Sequence, residues 1–214
     1  MGAERLRTDR YRRRLTVHLP HTVYRQIADL KRLTQNPFFQ AEYVRLRDVP
    51  LSEERHASAN AYEHSELVRR TVVMLGKVNK RSADELVILD SLGMAHDMGK
   101  AGDRSQHAEE SMRIVQKYGV DDAAFLALIR FHDIALSWHN SHLRGETPSD
   151  KAWRRLAAKV DMTLLCIFMA ADRADKTGGW RANESVVWFF DEAMRRGLVP
   201  QETVFDVPEA TACL

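Results

Sequence analysis

The sequence has few of the residues that stabilise secreted or turn-rich folds. Its 214 residues include two cysteines, six prolines and ten glycines. Cys166 lies in an apolar segment, where we expect a core position, and Cys213 is near the end of the chain, so no disulfide framework is predicted. The scarcity of proline and glycine favours helices over many short strands joined by turns. Because such cysteine usage is typical of reducing compartments, we expect a cytoplasmic protein.

Long apolar runs are also missing. The longest, "MTLLCIFMAA" at 162–171, is well short of the ~20 residues that span a bilayer. The start of the chain is rich in arginine and no apolar stretch follows it, unlike a secretory signal peptide. We therefore expect no association with a membrane.

Positive charge is concentrated at the N-terminus. The net charge is +2, yet residues 1–14 hold six arginines against Glu4 and Asp9. This basic arm is interpreted either as a solvated terminus or as a contact with nucleic acid or another polyanion.

Apolar residues recur at helical spacing through most of the chain. A leading helix is predicted at about 20–34, followed by an irregular stretch at 37–58 and then by successive helices. Asn60 and Ser82 are predicted N-caps, the second helix closing near Gly99, and Asp103 with Gln106 should cap the third. The fold class is all-α, a helical bundle. We divide it into a basic arm with the leading helix (1–50), a main domain (51–190) and a C-terminal extension (191–214).

Metal-binding side chains fall at positions that face the predicted core. Alone, each has a structural explanation, as a core histidine or a helix cap. Burying all of them without partners would cost several kcal/mol, which a shared cation would offset. Imidazole with carboxylate suits Mn, Co, Ni, Zn or Fe, as one or two ions. The residues are His64, His96, Asp97, His107, His132 and Asp172.

The sequence segments around these residues resemble those of the HD superfamily of metal-dependent phosphohydrolases. "GMAHDMGK" is similar to the signature of that family, and "NAYEHSELV", "HAEES", "LIRFHD" and "MAADRADK" resemble its other ligand segments in the same order. The resemblance covers about residues 55–180. It implies that the bundle is an HD domain with a metal site in its core.

The resemblance also implies roles for single residues. His64, His96, Asp97 and Asp172 would bind one ion; in members with two ions, Asp97 would bridge them and His107 and His132 would complete the second site. Lys100 would face the substrate. The ion would polarise a phosphoryl oxygen and lower the pKa of a bound water, with Asp97 assisting its deprotonation. Arg55 and Arg173 are candidates to clamp the phosphate. The "GYP" triplet of cyclic-dinucleotide phosphodiesterases is absent.

Several alternatives stay open at this point. Asp161 and Asp175 share the helical face of Asp172, which is preferred only because it fits the family pattern. His139 and His142, in "SWHNSH", would line a loop or complete a second metal site, and we favour the loop.

Two of the proposed site residues also have simpler interpretations. Lys100 could simply offset a helix dipole. His107 could be a hydrogen-bond donor to substrate in a site with one ion.

The leading functional hypothesis is hydrolysis of a phosphate ester in a nucleotide or another small phosphorylated molecule. An HD-type di-iron oxygenase resembling inositol oxygenase is the second hypothesis, because such enzymes have similar ligands and a lysine after the His-Asp pair. The third is a non-catalytic HD signalling module.

Overall fold

The computed structural model describes residues 27–54, 56–102, 104–176 and 178–206, and within these ranges the chain is helical and contains no β-strand. Its α-helices are α1 (Ile27–Gln35), α2 (Pro37–Val44), α3 (Ala61–Val78), α4 (Ala83–Ala95), α5 (His107–Lys117), α6 (Ala123–Phe131), α7 (Ile134–Leu143), α8 (Asp150–Ala157), α9 (Met162–Ala171) and α10 (Glu184–Arg195). Short 3₁₀ helices span Arg45–Asp48, Met98–Ala101, Arg104–Gln106 and Gly179–Ala182. The predicted all-α class is confirmed for the described residues.

Helix α9 is the centre of the bundle. All of its residues from Met162 to Ala171 are buried, as expected for a helix that is apolar on every side. Helices α3 and α4 pack along each other, and α9 lies against both. Helix α1 covers α4, while α7 pairs with α10 on the other side. Cys166 is buried in α9, as predicted, and Cys213 lies outside the described residues.

The core extends beyond the main domain that the sequence suggested. Leu30 and Phe39, from the predicted N-terminal segment, belong to the same buried cluster as the helices of the main domain. Val199 and Phe205, from the predicted C-terminal extension, belong to it as well. Both flanking segments therefore contribute to a single hydrophobic core.

The prediction of an irregular stretch at 37–58 is wrong for its first part. Helix α2 occupies Pro37–Val44, and the Asn36 side chain accepts hydrogen bonds from the backbone N–H groups of Phe38 and Phe39. An asparagine cap followed by proline in the first turn is a helix start signal, because proline has no N–H to satisfy there. Of the predicted leading helix, only the part from Ile27 lies within the described residues.

The predicted helix ends around the "HDMGK" segment also differ from the structure. Ser82 is the N-cap, as predicted, and forms a capping box with Glu85, but α4 ends at Ala95 and not near Gly99. The backbone then forms the 3₁₀ turn Met98–Ala101, which packs against α5. Helix α5 begins only at His107, and Gln106 makes no side-chain cap; Asp103 lies outside the described residues.

Among the described residues, no helix combines the length and the apolar character needed to cross a bilayer.

Candidate metal centre

Three helix ends deliver polar side chains to one place in the core. His96, His132 and Asp172 are the C-cap residues of α4, α6 and α9. His64 comes from the first turns of α3, and His107 is the first residue of α5. The C-terminus of a helix carries partial negative charge, so a place where three such ends meet favours a cation.

Four of the predicted ligands surround a space of ionic size. The Nε2 atom of His64 lies 3.0 Å from Asp172 Oδ1 and 3.6 Å from Asp97 Oδ2. The Nε2 atom of His96 lies 3.4 Å and 3.1 Å from the same two oxygens. Ligand atoms bound at about 2.1 Å to one ion lie roughly 3.0–3.5 Å apart. His64, His96 and Asp172 could therefore hold a metal ion, with Asp97 Oδ2 beside them.

The other oxygen of Asp97 faces a second group. Asp97 Oδ1 lies 3.7 Å from His107 Nε2, which is 3.2 Å from His132 Nε2. Asp97, His107 and His132 could also hold a metal ion. The carboxylate of Asp97 thus lies between two ligand groups, one on each oxygen, which is the arrangement of a bridging ligand.

Hydrogen bonds at Nδ1 to backbone carbonyls orient two of the histidines. His96 Nδ1 lies 3.0 Å from the carbonyl oxygen of Gly93, and His132 Nδ1 lies 2.6 Å from that of Ile129. A carbonyl only accepts hydrogen bonds, so in both rings Nδ1 carries the proton and donates it. The neutral ring then has its lone pair on Nε2, the atom that faces the ligand group. Metal-binding histidines have the same orientation.

Several buried polar atoms at the centre lack a hydrogen bond. Among the described residues, they include His96 Nε2 and Asp97 Oδ1. Buried polar groups in folded proteins are normally satisfied, because leaving them without a partner is costly. A cation would satisfy both the lone pair of the ring nitrogen and the carboxylate oxygen that has no donor, so these residues fit a metal.

Burial and neighbouring charges set the protonation of the site. Burial alone would raise the pKa of the Asp97 carboxyl, but His96, Lys100 and His64 outweigh it and hold this pKa well below its usual range. Burial lowers the pKa of His64 despite its acidic neighbours. Near neutral pH, Asp97 is therefore an anion and His64 is neutral, the forms in which both bind metals.

The three predicted substrate-binding residues have different surroundings. Lys100 contacts Asp97 Oδ2 through its ammonium group, and its side chain is 21% exposed, so it lies between the centre and solvent. Arg173 contacts Asp172 through one terminal nitrogen and Asp133 through the other, the second at 3.0 Å. Arg55 lies outside the described residues.

The two rivals of Asp172 are separated by the structure. Asp161 is the N-cap of α9, at the opposite end of the helix, where it accepts hydrogen bonds from the backbone of Thr163 and Leu164. Asp175 lies at the centre, with Oδ2 3.0 Å from His64 Nδ1. It contacts the far side of the His64 ring, away from Asp172.

The prediction of a loop at His139 and His142 is wrong. Both residues lie on α7, and their rings pack near Trp188, at centroid distances of 5.6 and 5.1 Å. Neither belongs to the groups of described residues that could hold a metal ion. The "SWHNSH" segment continues as a helix because its residues pack against α10.

Two residues near the centre were not identified from the sequence. Asp133 Oδ2 lies 3.3 Å from His132 Nε2 and 3.6 Å from His107 Nε2, and the repeated His-Asp order in "LIRFHD" could have indicated it. His56 contacts Asp175 with Nδ1 at 3.1 Å. Its position depends on how the segment before α3 folds back, which no local pattern predicts.

Comparisons with protein-family models, with curated proteins and with solved structures find no match for this chain.

Proposed function

We propose that this chain is a metal-dependent phosphohydrolase of the HD superfamily, acting on a phosphate ester of a nucleotide or another small phosphorylated molecule. The observation that carries the proposal is the position of Asp97. Its two oxygens face two separate groups of imidazole Nε2 atoms, at distances of 3.1–3.7 Å. We infer that the centre would hold two ions and that Asp97 would be a ligand to both.

The predicted ligands would divide between the two ions. His64, His96 and Asp172 would hold one ion, and His107 and His132 would hold the other. Divalent Mn, Co, Ni, Zn or Fe suits this mixture of imidazole and carboxylate. Bound there, such ions supply Lewis acidity toward a phosphoryl oxygen and a water of lowered pKa.

Cationic side chains would bind the substrate. Lys100 is partly exposed at the centre and would neutralise phosphate charge as a point cation. Arg173 is tied to Asp172 and Asp133, so it would align phosphate while held by the carboxylates. Asp97 would assist deprotonation of the attacking water by holding the ions that lower its pKa. The buried carboxylates would repel an anionic substrate without these cations.

A phosphatase assay with defined metals tests the proposal. Full-length protein is stripped with a chelator and assayed on nucleoside monophosphates and an aryl phosphate, with each divalent ion added in turn. We expect phosphate release only when metal is present. His96→Ala should abolish it, and His142→Ala, which removes an exposed histidine on α7, should leave it unchanged.

The same assay separates the competing functions. No phosphate release with any ion, or equal release by His96→Ala, would contradict the proposal. Oxygen consumption by the iron-loaded protein without phosphate release would favour the oxygenase. Absence of any bound metal would favour a non-catalytic module.

A further inference from the structure

Behind the candidate metal centre lies a second layer of hydrogen bonds, formed by His56, Asp175 and His64. The Oδ2 atom of Asp175 lies 3.0 Å from His64 Nδ1 and 3.1 Å from His56 Nδ1. The side chain of Asp175 is fully buried, and that of His56 is 13% exposed. One carboxylate oxygen therefore accepts a hydrogen bond from each of two imidazole rings.

His64 differs from the other two oriented histidines in the partner of its Nδ1 atom. His96 and His132 donate to neutral backbone carbonyls of their own helices. His64 faces a carboxylate that comes from the turn after α9, far away in the sequence. A carboxylate holds a ring N–H more strongly than a carbonyl does, because the hydrogen bond is assisted by charge. It also makes the opposite nitrogen a better ligand.

The three residues could also form a metal site of their own, since their ligand atoms lie close together. The chemistry of His64 argues against this. A neutral imidazole has one lone pair, and His64 Nε2 already faces Asp172 and Asp97. Its Nδ1 atom then carries a proton and cannot bind a metal. Asp175 therefore accepts a hydrogen bond from this N–H group, and His56 donates a second hydrogen bond to the same carboxylate oxygen.

Backbone contacts fix Asp175 in this place. The N–H of Ala57 donates to the carbonyl oxygen of Asp175 at 2.8 Å, beside the side-chain contact of His56. The segment before α3 folds back so that Pro50 lies opposite Asn60. Asp175 is thus held from its backbone and its side chain by one segment, and it holds His64 in turn.

We propose that Asp175 is a positioning residue, which fixes the His64 ring with Nε2 toward the metal, and that His56 acts through Asp175. This inference rests on the proposed function only in that His64 binds a metal. In this role, neither Asp175 nor His56 needs to contact the substrate.

The test measures zinc affinity by competition with a chromophoric chelator, on the full-length chain. Removing the second partner of a metal-binding histidine typically weakens metal binding about 10–100-fold. We expect about 100-fold for Asp175→Ala and about 10-fold for Asp175→Asn, which keeps an acceptor but loses the charge. If the alanine variant does not fold, the asparagine variant decides the question.

Asp161→Asn is the matched control. It makes the same chemical change at the other end of α9, where asparagine can still cap the helix. We expect wild-type zinc affinity for it. The melting temperature of each metal-free variant is recorded alongside. If an Asp175 variant melts lower but binds zinc as tightly as the wild type, the role is merely structural and the inference is overturned.

His56→Ala completes the test. It should weaken zinc binding in the wild-type background and have no further effect in Asp175→Ala, because residues that act through one another are not additive. Equal effects in both backgrounds would overturn the role of His56. If wild-type protein binds neither zinc nor Mn, Co, Ni or Fe, the proposed function and this inference both fail. If it binds zinc and the Asp175 variants do so equally well, only the inference fails.

Discussion

Replacing Gly99 with alanine should remove the ion that we propose for His107 and His132 and leave the one that we propose for His64, His96 and Asp172. Gly99 lies in the turn between α4 and α5, and its N–H donates to Ser111 Oγ at 2.9 Å. A Cβ atom at Gly99 would lie 2.2 Å from the carbonyl oxygen of His107 and 2.7 Å from Glu110 Cβ. The first contact is with backbone, so no side chain can rotate away to relieve it. The start of α5 must move instead.

The required movement is large on the scale of a metal bond. Ordinary contact begins at about 3.4 Å, so α5 would have to move by about 1 Å. Metal–ligand distances vary by only about 0.2 Å, so His107 would leave its ion. Overpacking of this kind costs about 1–3 kcal/mol. For a chain of this length the melting temperature should fall by roughly 2–12 °C.

Metal analysis of the folded variant is the assay. We expect about one metal equivalent fewer in Gly99→Ala than in the wild type, as in His107→Ala, because both displace the same ligand. His142→Ala is the control, because this histidine is exposed on α7 and belongs to neither group of ligands, so the variant should keep the full metal content. A Gly99→Ala protein that keeps the full metal content and activity would refute the reasoning.

Three further predictions concern charge. Lys100→Met should slow phosphate-ester turnover while metal affinity stays equal or rises, because an ammonium beside Asp97 repels a cation; weaker metal binding would contradict this. In metal-free protein, burial lowers the pKa of His56 and His64, so the unfolded state takes up protons before the folded state as the pH falls. The free energy of unfolding should therefore decrease below about pH 6.5, as measured by denaturant titrations at several pH values. A flat profile from pH 7 to 5 would contradict this. Deleting residues 1–14 should leave mononucleotide turnover unchanged and reduce any nucleic-acid affinity and its salt dependence, measured by fluorescence anisotropy; lost turnover would give the arm a different role.

The sequence predicted the elements whose signals are local. Capping by Asn60 and Ser82 indicated the starts of α3 and α4, and the apolar run at 162–171 indicated a buried helix. Helix α2 was missed although Asn36 and Pro37 carry a start signal. The helix ends around Gly99 depend on the packing of α5 against the turn, so the sequence placed the end of α4 too late and the start of α5 too early.

The candidate site was predictable where its residues follow a linear pattern. The six predicted ligands come together because each lies near a helix terminus or in a first turn. Periodicity could not separate Asp172 from Asp161 and Asp175. In the structure, Asp161 lies at the opposite end of α9, and Asp175 lies in the turn after α9, where it contacts the other ring nitrogen of His64. His56 contacts the site through tertiary packing, which the sequence does not display, whereas Asp133 directly follows His132 and could have been identified.

Anomalous diffraction from crystals of the metal-loaded, full-length protein tests the central claim most directly. We predict two anomalous peaks, one beside each carboxylate oxygen of Asp97, separated by about 3.5–4 Å. The first should lie about 2.0–2.2 Å from the Nε2 atoms of His64 and His96, and the second at the same distance from those of His107 and His132. A single peak would contradict the proposed sharing of Asp97 by two ions. No peak beside Asp97 would contradict the account.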